Sequence, residues 1–247
     1  GGGAGSGHSG GAVSVLTGYG SMTSSGSVSI RTMNSGDNGV SGRLSFSSGT
    51  ASFGNSGSIS VGSDRATNGK AGSIRVTVGA GNTGDGGGVW IFAGQTTADD
   101  KVGGMVSIRG GISYTGTTLG KGGSVEIGGG AGSGHSGGAV SVLTGYGSMT
   151  SSGSVTVRTM NSGDVGVSGR LSFSSGTASV GNSGSISVGT GHSTNGKSGN
   201  IRVSVGPGTT ATGGRVTIFA GESTARSGGA ITLWSGYGST QSSGSIT

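Results

Sequence analysis

Serine set between glycines is the first pattern in this chain that could do chemistry. Gly7-His8-Ser9-Gly10-Gly11 and its copy Gly134-His135-Ser136-Gly137-Gly138 both spell G-x-S-x-G. In that string a serine stands on a sharp strand-to-helix turn and is activated by a histidine that an acid orients. No helical periodicity follows either copy, and a chain with 64 glycines produces the string by chance, so the corner-turn reading is preferred. The glycine-rich opening Gly1 to Gly11 resembles a phosphate cradle only in composition, because it lacks the Gly-Lys-Ser/Thr ending and the helix behind it. Asn82-Thr83-Gly84-Asp85-Gly86 is similar to a calcium-binding turn, but its counterpart reads Thr209-Thr210-Ala211-Thr212-Gly213 and has no carboxylate. Calcium needs several oxygen ligands, carboxylates among them, so no calcium array is expected. His8, His135 and His192 stand apart from any Cys or acidic partner at metal-ligand spacing. Asp99, Asp100 and Glu126 are the densest carboxylates and read as solvated loops. The sequence therefore predicts no catalytic residue, no cofactor and no metal.

Charge narrows the partners. The net charge of +6 is spread thinly over 247 residues, and Lys and Arg form no run. That admits contact with acidic polysaccharide or a mineral surface and gives no reason to expect nucleic acid. No apolar run approaches the roughly 18 residues of a membrane helix. There is no Cys and no Asn-x-Ser/Thr sequon.

The elements that would position any surface are short and repeated. Ser56-Gly57-Ser58-Ile59-Ser60-Val61 recurs as Ser25-Gly26-Ser27-Val28-Ser29-Ile30 and as Ser152-Gly153-Ser154-Val155-Thr156-Val157. Apolar marks fall at Val13, Val28, Leu44, Ile59, Ile74, Val89, Val106 and Val125. They continue at Val140, Val155, Leu171, Ile186, Ile201, Val216, Ile231 and Ile246. Eleven of the fifteen steps between marks are fifteen positions long, and the others cover sixteen (twice), seventeen and nineteen. Two places after the marks come Val15, Ile30, Phe46, Val61, Val76, Ile91, Ile108 and Ile127. The second copy supplies Val142, Val157, Phe173, Val188, Val203, Ile218 and Leu233. Alternation of β-branched and hydroxylated residues is a strand pattern, and a fixed strand spacing is the mark of a repeat array.

A longer period lies above the short one. Gly1 to Val28 returns unchanged as Gly128 to Val155, which divides the chain into long units 1–127 and 128–247 of about eight short repeats. One short repeat is long enough for two short strands and two tight corners. A unit with two or three apolar side chains cannot hold itself together, so stacking on its neighbours must supply the rest. The expectation is an all-β parallel β-solenoid (β-helix) of about 16 coils, continuous over 1–247, with the apolar pairs as core columns. The chain opens and stops in mid-phrase, which reads as a window of a longer array whose open ends favour end-to-end joining. On the outward side, Leu16, Phe92, Leu143, Phe219 and Trp234 share a slot with Arg31, Arg109 and Arg158, and Trp90 lies beside it. These large groups are candidates for lateral contact.

The Ser-Gly-Ser-Ile-Ser-Val phrase with its Gly-Thr corners resembles the long Gly/Ser/Thr-rich repeats of secreted proteins of diatoms and other microalgae. That resemblance implies an extracellular structural protein of fibres, walls or adhesives that self-associates. The short repeat is also similar to the coil of insect β-solenoid antifreeze proteins, which present Thr-x-Thr on a flat face. Here the matching slots read Ser14/Leu16, Ser29/Arg31, Arg75/Thr77 and Trp90/Phe92, a departure from an ice-matching lattice. The alternative is a surface-binding module for ice, silica or polysaccharide.

Overall fold

Each of the sixteen apolar marks has a glycine two places before it, from Gly11 ahead of Val13 to Gly244 ahead of Ile246. This glycine sets the local geometry. In the computed structural model, which describes residues 2–5, 9–114, 120–239 and 241–247, it packs against the end of the preceding apolar segment. A Cβ at Gly26 would lie 3.0 Å from Thr17 Cβ, one at Gly153 would lie 3.2 Å from Thr144 Cβ, and one at Gly214 would lie 2.6 Å from Val205 Cγ1. The 2.6 Å approach at Gly214 excludes a Cβ unless an atom moves. At Gly26 and Gly153 a Cβ would push the neighbour aside by a few tenths of an ångström, so glycine on one side favours the approach. The facing residue is small or β-branched, as at Thr17, Ser63, Ala93 and Thr159.

The approach closes a loop. The Gly26 N–H donates to the Gly18 carbonyl at 3.1 Å, Gly138 to Gly130 at 2.8 Å, Gly153 to Gly145 at 3.1 Å and Gly244 to Gly236 at 2.8 Å. Two closures take in more chain, Gly104 to Gly94 and Gly123 to Gly111, both at 2.8 Å. They fall in the two longest steps of the repeat, Val89 to Val106 and Val106 to Val125. Hydroxyls add a second bond in places: Thr17 Oγ1 donates to the Gly26 carbonyl at 3.1 Å and Ser63 Oγ to the Gly72 carbonyl at 2.9 Å. Inside two equivalent loops the backbone turns through the left-handed region at Gly54 (φ 96°) and Gly181 (φ 101°), which glycine adopts without penalty.

These are single closures, and no ladder grows from them. Among the described residues the backbone forms no α-helix and no β-strand. The backbone bonds of the described residues span three, eight, ten or twelve positions, and none spans the full repeat that would tie one unit to the next. No described residue is buried, and the chain exposes 24813 Å². A compact chain of 23.1 kDa would expose about 9700 Å² and its extended form about 33500 Å². Roughly three quarters of the extended-chain surface therefore remains in water. The backbone divides into two units, Gly1–Glu126 and Ile127–Thr247, each a series of glycine-closed loops.

The parallel β-solenoid, or β-helix, expected from the sequence is thus not formed. The pairs from Val13/Val15 to Ile231/Leu233, expected as core columns, lie at the surface. Two physical reasons account for the difference. The glycine before each mark is engaged within its own unit, so the chain closes on the end of the preceding apolar segment instead of stacking on its start. Glycine makes up about a quarter of the chain, and its ordering is the most costly of any residue. The two or three apolar side chains per unit do not offset that cost within one chain. No helix among the described residues is long and apolar enough to cross a membrane.

Candidate interaction surface

Each closure leaves its apolar pair just beyond the pinch, open to solvent. The first residue of the pair is the more sheltered. From Val28 to Ile246 the first residues are 48–60% exposed, and the second residues, from Val15 to Leu233, are 58–77% exposed. The first stands two places from the closing glycine, so the neighbouring limb shields part of it. Sixteen half-open apolar sites at a near-constant spacing make up the dominant feature of the surface.

The larger groups proposed for lateral contact, Leu16, Phe92, Leu143, Phe219 and Trp234, are more open than either residue of the pairs, at 84–89% exposed. Trp90 is 74% exposed because its ring folds back over Gly88. A Cβ at Gly88 would stand 2.8 Å from Trp90 Cζ2, so glycine there makes the shelf on which the indole lies.

Among the shallow concavities of this surface are two that are copies of each other. Arg31, Thr32, Met33 and Asn34 line a nook of about 180 Å³, and Arg158, Thr159, Met160 and Asn161 line one of about 300 Å³. Each nook presents a guanidinium, a hydroxyl, a thioether and an amide from four consecutive residues. In the first copy the chain beyond it is turned by the Gly39 N–H on the Gly36 carbonyl at 3.2 Å and by Ser35 Oγ on the Gly39 carbonyl at 3.0 Å. Sequence reasoning placed Arg31 and Arg158 in the outward slot without grouping them with their neighbours. A signal was present, because the two steps of sixteen positions, Val28 to Leu44 and Val155 to Leu171, begin at these nooks.

The described residues tested for chemistry lie in loops. His8 falls outside the described residues. In the second G-x-S-x-G copy, Ser136 sits on the closing limb of the Gly130–Gly138 loop, whose backbone presses on Gly132. A Cβ at Gly132 would stand 2.6 Å from the His135 carbonyl oxygen and 2.7 Å from that of Ser136. Asp100 takes a left-handed backbone (φ 54°) in the turn after Asp99, and Gly84 does so (φ 75°) beside Asp85. No group of three or more His, Asp or Glu able to hold a metal ion occurs among the described residues. Comparison with known protein families, curated proteins and solved structures finds no match for this chain.

Proposed function

We propose that the chain is a structural repeat protein whose units associate with further copies of themselves to build an extracellular fibre, wall or adhesive. The observation that carries this reading is the exposure of every apolar pair, with no residue buried among those described. Burying apolar surface is favourable in proportion to its area, and this chain leaves more than half of the surface of its apolar pairs in water. A partner able to cover sites repeated so regularly needs the same spacing, and a second copy of this chain has it. Lateral contact through Leu16, Phe92 and Trp234 belongs to the same assembly. Light scattering of the purified chain against concentration tests the reading. Assemblies are expected to grow with concentration, and to grow further in sulfate salts, which strengthen apolar burial. A chain that stays monomeric at every concentration and salt would refute the proposal.

The paired nooks favour a second role for the same material, contact with acidic polysaccharide. A guanidinium flanked by hydroxyl and amide donors suits a sulfate or carboxylate group. Changing Arg31 and Arg158 together to Gln is expected to remove binding to a sulfated polysaccharide column at moderate salt. Changing Arg75 and Arg202 instead takes the net charge from +6 to +4 in the same way and is expected to leave most of the binding. Equal losses from the two double variants would reduce the nooks to general charge.

A further inference from the structure

We propose that Tyr19, Tyr146 and Tyr237 are modification sites at which neighbouring chains are joined covalently by oxidative coupling of their phenol rings. The three occupy one position in one kind of loop, Gly18–Gly26, Gly145–Gly153 and Gly236–Gly244. Each loop is closed glycine to glycine, and tyrosine is the first residue inside the closure.

A second glycine follows each tyrosine, and the loop folds back onto it. A Cβ at Gly20 would stand 2.6 Å from the Ser24 carbonyl oxygen, one at Gly147 would stand 2.5 Å from that of Ser151, and one at Gly238 would stand 2.5 Å from that of Gln241. These glycines are partly covered while the tyrosines before them are 88–90% exposed. The returning limb fills the inside of the loop and leaves the phenol only the outside. No described hydrogen bond engages a tyrosine hydroxyl. The same position in the other units holds Asn34, Thr50, Arg65, Ala80, Glu222 and others, so the aromatic is placed sparsely instead of with every repeat. Sparse, outward and identically mounted phenols suit permanent joints between chains already brought together by weaker contacts.

The chemistry balances with a peroxide and a peroxidase as the oxidant system. Each phenol gives up one electron and its O–H proton to become a phenoxyl radical. Two radicals form a carbon–carbon bond between their ortho positions, and each ring regains aromaticity as its ortho hydrogen moves to the phenolic oxygen. One hydrogen peroxide accepts the two electrons and two protons and leaves as two waters.

The experiment treats the full chain with hydrogen peroxide and a haem peroxidase at high protein concentration, then maps the joints by mass spectrometry after trypsin. Cleavage at Arg and Lys leaves Tyr19, Tyr114, Tyr146 and Tyr237 on four separate peptides, 1–31, 110–121, 122–158 and 227–247. A ladder of covalent oligomers is expected, joined through Tyr19, Tyr146 and Tyr237. Tyr114, equally exposed but the third residue inside the wider Gly111–Gly123 closure instead of the first, serves as the internal control. Changing the three loop tyrosines to Phe is expected to remove the ladder, and Tyr114→Phe to keep it. An equal share of joints at Tyr114, joints only within single chains, or no coupling at all would overturn the proposal. Coupling rests on self-association only for bringing chains together, and light scattering of the same sample before oxidant reads that step separately. Coupling through the three loops in a sample that does not scatter would uphold the joints and sink the assembly reading.

Discussion

Replacing Ile59 and Val61 together by serine is expected to weaken association between chains by about 30-fold, and replacing four successive pairs to abolish it. Ile59 keeps 58% and Val61 77% of its surface in water, so well over half of the gain from burying each is still available to a partner. Fully burying an aliphatic side chain is worth about 1.5–3 kcal/mol, and the pair therefore contributes about 2 kcal/mol after imperfect contact is allowed for. Each factor of ten in affinity corresponds to about 1.4 kcal/mol, which gives the stated change. Sedimentation equilibrium of the wild-type and variant chains measures it directly. Ser60→Ala, between the two, changes no apolar pair and should leave the dissociation constant alone. Association driven this way also carries a negative heat-capacity change and weakens on cooling. An unaltered dissociation constant in the Ile59/Val61 variant would remove the apolar pairs from the assembly.

The exposure of these pairs shows where the sequence was readable and where it was not. The period is plain in the sequence, and at Val28, Leu44 and Ile59 the glycine before the mark meets the end of the preceding apolar segment, closing by a backbone bond at Gly26 and by contact alone at Gly42 and Gly57. The partner of each unit is not plain there. An alternating apolar segment at a fixed spacing is equally satisfied by coils stacked one on another and by loops closed one after another, because both reuse the same positions. The distinction lies in what Gly26 meets, Thr17 within its own unit or a residue one full repeat away, and period alone carries no such information. The facing pair of a glycine and a small residue was visible as Thr17 and Gly26, Ser63 and Gly72, Thr144 and Gly153. Read as a pair, it points to local closure.

The candidate surface divides in the same way. Leu16, Phe92 and Trp234 stand out in the sequence as large apolar residues in a slot otherwise filled mainly by Ser, Gly and Arg, but they share their exposure with the apolar pairs. The Arg31–Asn34 and Arg158–Asn161 nooks were hidden by reading the slot one residue at a time. The tyrosine loops were hidden by their glycines, which composition treats as filler. Gly20 and Gly147 differ from open glycines such as Gly18 and Gly145 only in what surrounds them, and that is a property of the folded loop.

Changing Gly129 to alanine is expected to open the Gly130–Gly138 loop entirely, while changing Gly130, the next residue, is expected to leave it closed. The closure rests on the Gly138 N–H donating to the Gly130 carbonyl at 2.8 Å. A Cβ on Gly129 would overlap the Gly138 carbonyl oxygen and stand 2.8 Å from its carbon, whereas a Cβ on Gly130 would meet nothing within 4 Å. The atom struck belongs to the backbone of the closing limb, so no side-chain rotation relieves the clash. A solvent-exposed hydrogen bond contributes about 0.5–1.5 kcal/mol, less than an overlap of that kind costs, and the limb separates. Both variants stiffen the open chain alike, since each exchanges one glycine for alanine, so their difference isolates the steric effect. The Gly138 amide reports the outcome by NMR. It should exchange at the rate of a free amide in Gly129→Ala and remain protected in Gly130→Ala, with the Gly153 amide of the next loop unchanged in both. Protection surviving at Gly138 in Gly129→Ala would mean that glycine closure does not organise the chain, and the exposed apolar pairs would then owe their position to something other than the pinch that precedes them.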